Sequence, residues 1–150
     1  MWSNEQLAYF AGIFDGEGHL SVDIQRASKC RKKDYYSLRF VIANTNLEVI
    51  QWLVHTFHGT LQTDKKLEGH KQGYKFLLWG PKMFAVLDGA YPYMIIKKPI
   101  VEVAFEFRKT IGKTGWKISD ETLAIRKELY IKAHRINKKG DHNHTSALLP

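Results

Sequence analysis

An α+β domain is predicted from three features of this 150-residue chain: an opening stretch with helical apolar spacing, paired runs in which apolar and polar residues alternate, and a closing third that reads as helices. The expected order is helix, two strands, helix, two strands, then helices. One domain is expected over residues 1–136, with a polar tail from 137 to 150.

The first helix rests on Leu7, Phe10, Ala11 and Phe14, which fall at the i, i+3, i+4, i+7 spacing of an amphipathic helix. Ser3 and Gln6 form a capping box in front of it, which predicts a helix from Asn4 to Asp15. Beyond Gly16-Glu17-Gly18 the period drops to two, and Leu20, Val22 and Ile24 alternate with Ser21, Asp23 and Gln25 as in a half-buried strand. A basic link, Lys29-Cys30-Arg31-Lys32-Lys33, leads to a second alternating run in which Leu38, Phe40 and Ile42 oppose Ser37, Arg39 and Val41. The two runs read as a hairpin.

Thr45 and Glu48 read as a second capping box, opening a helix that carries Val49, Trp52, Leu53 and Phe57 and stops at His58-Gly59. Strands are expected at 60–65 and 74–79 around the turn at Glu68-Gly69, then a short helix from Gly80-Pro81 to Leu87. Pro92 punctuates a link, and further helices are expected over Pro99–Ile111 and Asp120–Ile136. Trp52, Phe57, Tyr74, Phe76, Trp79, Phe105 and Phe107 fall at core spacings and are assigned to the interior.

Hydrophobic residues make up 44% of the chain and aromatics 13%, too rich a content for a disordered chain, with a flexible stretch expected only in the tail. Cys30 is the only cysteine, so neither an internal disulfide nor a Cys-based zinc cage can form within one chain, and a reducing intracellular compartment is expected. No run approaches the roughly 18 apolar residues of a membrane span, and no secretory leader is read at Met1 to Gln6. Lys and Arg total 23 against 15 Asp and Glu, a net charge of +8 that favours polyanionic partners such as nucleic acid. His142 and His144 lie in a polar tail and are assigned to solvent rather than to zinc.

In the segment Phe10-Ala11-Gly12-Ile13-Phe14-Asp15-Gly16-Glu17-Gly18, glycine inside a helix costs about 1 kcal/mol relative to alanine. Ala8, Gly12 and Gly16 lie four apart and form a strip without bulk on which another helix can approach closely; Ala11 and Asp15 are assigned to the same contact. Beyond the strip come two acids, Asp15 and Glu17, at a helix C-terminus, where negative charge is disfavoured and asks for a counter-charge. A divalent cation such as Mg²⁺, with Mn²⁺ or Ca²⁺ able to substitute in binding, takes hard oxygen ligands of this kind together with phosphate oxygens. Two such helices in contact would bring two acids together around a scissile phosphate, the arrangement for phosphodiester hydrolysis.

The nonapeptide resembles the signature of the LAGLIDADG homing endonucleases, with Phe10 at its first Leu, Ile13 and Phe14 at its middle hydrophobics, and Glu17 at its second acid. The family core is αββαββα with an antiparallel DNA-binding saddle, and residues 4 to 111 follow that order, leaving extra helices behind it. The resemblance implies that Glu17 binds the catalytic metal, that Gly16 lends a backbone carbonyl, and that the Ala8/Gly12 strip forms a subunit interface. It also implies a supporting lysine, Lys97 first and Lys98 second, and a polar residue ending the second strand, Asn44. Single-motif members of the family act as homodimers, and the family is typically carried by introns or inteins.

With the apolar faces of the strands on the core helices, Ser21, Asp23, Gln25, Arg39, Gln62, Asp64 and Lys75 are expected to face outward, and such ribbons fit the DNA major groove. Lys29, Arg31, Lys32, Lys33, Lys65, Lys66 and Lys71 in the links would track phosphates. The expected activity is site-specific cleavage of a long pseudo-palindromic duplex by a homodimer. An RNA maturase and a non-catalytic DNA-binding regulator are the rival readings of the same fold.

Overall fold

The computed structural model describes residues 1–112 and 117–142. In chain order the elements are α1 (Asn4–Glu17), β1 (Gly18–Gln25), β2 (Tyr35–Asn44), α2 (Leu47–Phe57), β3 (Thr60–Thr63), β4 (Tyr74–Leu78), α3 (Gly80–Ala90), a 3₁₀ turn (Tyr91–Tyr93), α4 (Lys98–Arg108) and α5 (Asp120–His142). The α+β class and the order predicted from the sequence are those observed. The strands form a four-stranded antiparallel sheet in the order β1-β2-β4-β3. The described residues pack as two compact units, Met1–Leu20 with Arg39–Lys98, and Ser21–Leu38 with those that follow Lys98.

In the first unit, α1 begins at the predicted box: Ser3 Oγ accepts the Gln6 N–H at 3.2 Å and Gln6 Oε1 accepts the Ser3 N–H at 2.9 Å. The helix runs two residues further than predicted, to Glu17, and stops where Gly18 turns to extended backbone and donates its N–H to the Phe14 carbonyl. A Cβ at Gly18 would lie inside the Phe14 ring, so the exit from the helix needs glycine.

Phe10, Phe14, Phe40, Phe57 and Phe76 are fully buried or nearly so, with centroids 4.9 Å apart for Phe10–Phe57 and 5.0 Å for Phe14–Phe40. These rings join α1 and α2 to the inner sheet face, which carries Phe40, Ile42, Phe76 and Leu78. The sheet register pairs Val41 with Leu77 and Ala43 with Lys75, and these residues point to the opposite, outer face.

Three local expectations are corrected. The cap of α2 is Asn46, whose Oδ1 accepts the Val49 N–H at 3.2 Å, so the Thr45/Glu48 box does not form. Asn44 folds back on this turn, accepting the Asn46 N–H at 2.8 Å, and so moves the helix start one residue on. Trp79 is not a core residue: it is 61% exposed, because its position in β4 parity turns it to the outer face. Strand β3 also ends at Thr63, before Asp64 and Lys65.

In the second unit, Phe107 of α4 and Leu129 and Ala133 of α5 are buried, and Lys132 of α5 donates to Glu106 of α4 at 3.1 Å. Arg126 is 7% exposed, with its guanidinium 4.8 Å over the Phe107 ring; it donates to the Thr110 hydroxyl at 2.9 Å and to the Thr110 carbonyl at 3.0 Å. Burial lowers its pKa, and no carboxylate pairs with it among the described residues. Tyr36 meets Tyr130 at 5.8 Å, and Lys33 donates to Asp120 at 2.6 Å. The tail expected from Asn137 is helical as far as His142, while the side chain of His142 and all of His144 lie outside the described residues. No helix among the described residues is long and apolar enough to cross a membrane.

Candidate active site and nucleic-acid interface

The two acids at the end of α1 have different fates. Asp15 is half-buried, and its carboxylate accepts two backbone N–H groups from the segment between the 3₁₀ turn and α4: Ile95 at 2.7 Å and Lys97 at 2.9 Å. Charge-assisted bonds of this kind satisfy an acid that sits unfavourably at a helix C-terminus. Asp15 is thereby an anchor holding the Lys97 segment against the motif rather than part of an open interface. Glu17 is exposed and has no hydrogen-bond or ion-pair partner among the described residues.

Of the predicted strip, Ala8, Gly12 and Gly16 are exposed, and a Cβ at Gly12 or Gly16 would meet nothing within 4 Å. Ala11 is corrected: at 0% exposure it belongs to the chain's own core, because it lies on the Phe10/Phe14 side of the helix. The strip is therefore a face of α1 that nothing among the described residues covers.

The two lysines are also separated by their surroundings. The Lys98 ammonium lies 5.2 Å over the Tyr91 ring, whereas that of Lys97 has no partner among the described residues. Asn44 ends β2 opposite Tyr74, on the inner-face parity of Phe40 and Ile42, with its Oδ1 already engaged by Asn46. Since β1 starts at Gly18 and β2 ends at Asn44 in an antiparallel sheet, Glu17 and Asn44 lie at the same end of it.

On the outer face, Gln62 of β3 sits directly opposite Lys75 of β4. The Lys75 ammonium donates to Asp64 at 2.6 Å, so these two predicted readers neutralise each other in the free chain. Arg39 is exposed. On β1, Ser21 donates to Asp23 at 2.7 Å, and Gln25 accepts from Arg31 at 2.8 Å. In the links, Lys29, Arg31, Lys32, Lys33, Lys65, Lys66 and Lys71 are exposed, with Lys33 held by Asp120.

The sequence reading missed two things. Val41, Ala43, Leu77 and Trp79 share the outer face, which the alternation of β2 already implied for Val41. The anchoring of residues 95 and 97 by Asp15 had no signal in the sequence, since the partners are about eighty positions apart.

A metal would have to fit this donor set. No group of three His, Cys, Asp or Glu side chains that could hold an ion is found among the described residues. The single free carboxylate of Glu17 is a hard oxygen donor suited to a divalent cation, but one chain supplies only part of a coordination shell.

No family model and no curated protein matches this chain. Solved structures do match. The homing endonuclease I-CvuI, in complex with its target in the presence of calcium, aligns over 94% of this chain and 85% of its own, with a TM-score of 0.69 and 14% identity. The archaeal intron-encoded homing endonuclease I-Vdi141I, complexed with DNA, aligns over 94% and 87% with a TM-score of 0.70 and 19% identity. The LAGLIDADG meganuclease I-CpaMI, bound to uncleaved DNA, is longer: 82% of this chain covers 41% of it, with a TM-score of 0.63 and 18% identity. With its glycine-stripped α1 leading into a four-stranded antiparallel sheet, this chain has the fold of the LAGLIDADG homing endonucleases.

Proposed function

We propose that the chain is one subunit of a homodimeric, divalent-metal-dependent endonuclease that cuts both strands of a long, pseudo-palindromic DNA site. The observation that carries this reading is Glu17: an exposed, unpaired carboxylate at the end of an open helix face, in a fold whose solved examples include complexes with DNA. Two copies meeting through Ala8, Gly12 and Gly16 would bring two Glu17 carboxylates together. That the chain covers under half of I-CpaMI supports the same arrangement, two copies doing what one longer chain does.

Glu17, with the Gly16 carbonyl, would hold the ion. A bound divalent cation supplies charge neutralisation at the scissile phosphate and activates water. The Lys97 ammonium, on a segment held by Asp15, offsets negative charge as the water oxygen bonds to phosphorus and the bond to the leaving oxygen breaks. The leaving oxygen takes up a proton and the attacking water loses one. The outer sheet face meets base edges, and the link lysines meet phosphates.

The test is incubation of the wild type and Glu17→Gln with a randomised duplex library, with and without Mg²⁺, followed by sequencing of the ends. Mg²⁺-dependent double-strand cuts at one pseudo-palindromic site, absent with the variant, support the nuclease. Selective binding without cuts overturns cleavage in favour of a regulator, and neither binding nor cutting of duplex DNA points to RNA.

A further inference from the structure

In the first unit, the outer face of the sheet is not polar throughout. Leu77 of β4 lies opposite Val41 of β2 and Thr60 of β3, while Lys75 lies between Ala43 and Gln62. Trp79 continues the parity of Lys75 and Leu77, since its φ of −152° and ψ of 166° keep the backbone extended. Ala43, Val41, Leu77 and Trp79 thus form an apolar strip rimmed by Arg39 on one side and by Lys75 and Gln62 on the other. Val41 is its covered floor, Leu77 is half-covered, and Ala43 and Trp79 are open, Trp79 at 61% exposure.

Apart from Val41, which is buried, the strip lies outside the core, whose inner sheet face carries Phe40, Ile42, Phe76 and Leu78. Scattered exposed apolar residues are ordinary, but a contiguous apolar patch with a polar rim marks a binding surface. A phosphate backbone offers such a strip nothing to bury. Among the groups exposed in the major groove, the apolar one is the C5 methyl of thymine, and a cationic and amide rim suits the acceptors beside it.

From this we infer that Leu77 and Trp79 read thymine methyl groups, so that each half of the DNA target carries T·A pairs at the positions facing them. This rests on the nuclease reading above and adds the base class that the central strip selects.

The experiment uses the full chain and the duplex it selects from a randomised library, in Ca²⁺ so that binding is followed. Each thymine of one half-site is replaced in turn by deoxyuridine, which removes only the methyl. At one or two positions the Kd is expected to rise about 4-fold, the effect of losing one buried methyl-sized group. In Leu77→Ala and Trp79→Gln, the latter at an exposed site that leaves the fold unburdened, that difference between thymine and deoxyuridine should shrink toward none. Insensitivity to deoxyuridine at every position, or an undiminished difference in both variants, overturns the inference while leaving the nuclease reading standing. Failure to select any duplex overturns both.

Discussion

The Asp15 carboxylate accepts the backbone N–H of Lys97 at 2.9 Å, and through its other oxygen that of Ile95 at 2.7 Å. The first acid of the motif therefore fixes the segment that carries a candidate lysine, and the second acid, Glu17, is left free for chemistry. Removing either acid should have a different consequence.

Asp15→Asn keeps the size of the side chain but turns one acceptor oxygen into an amide that faces a backbone N–H. Loss of one charge-assisted bond and an unsatisfied donor should cost about 1–3 kcal/mol. Urea denaturation at fixed protein concentration reads it; an unchanged midpoint would remove the anchoring role from Asp15.

Glu17→Gln should do the reverse. A carboxylate at a helix C-terminus is disfavoured, so its neutralisation is expected to stabilise the chain by about 0.3–1 kcal/mol. Cleavage should meanwhile fall by at least about 10²-fold, the scale for loss of one electrostatic stabiliser of a transition state. Destabilisation together with lost cleavage would mean that Glu17 serves the fold instead.

The glycines separate packing within the chain from packing between chains. Gly18→Ala drives a Cβ into the Phe14 ring and should lower the unfolding midpoint sharply, an overpacking cost of about 1–3 kcal/mol. Gly12→Leu meets open space among the described residues and should leave the chain folded, whereas the dimeric mass expected for the wild type in sedimentation should fall to that of a monomer. A dimeric mass for Gly12→Leu would move the interface away from α1.

Asp120 is fully exposed, yet the hydrogen bond from Lys33, and then its charge, hold the carboxyl below the usual Asp value of 3.8. A depressed folded pKa contributes stability that is present above the ordinary value and is lost as pH falls through the lowered one. An NMR titration of the Asp120 carboxyl should show a midpoint below 3.8 that returns upward in Lys33→Met. An unmoved midpoint would show that the pair is not formed in solution.

Legibility in the sequence followed the range of the physics. The helix opened by Ser3 and Gln6, the alternation of Leu20, Val22 and Ile24, and the bulk-free run of Ala8, Gly12 and Gly16 are properties of neighbours within one turn or one strand, so periodicity and side-chain size reported them. The resemblance carried by the motif led to Glu17, which is exposed and has no partner among the described residues. Boundaries were less legible: Thr45 and Asn46 both have capping side chains, and only the turn closed by Asn44 selects Asn46.

What the sequence determined by itself was therefore the element order, the inner and outer faces of the strands, and the acid at the end of a glycine-stripped helix. Tertiary structure alone decided that Asp15 closes on Ile95 and Lys97 and that Lys75 spends its charge on Asp64. The reason is that a local pattern fixes where a side chain points along its own element, whereas its partner is whatever chain packing brings to that spot, and packing is set by contacts between residues far apart in sequence.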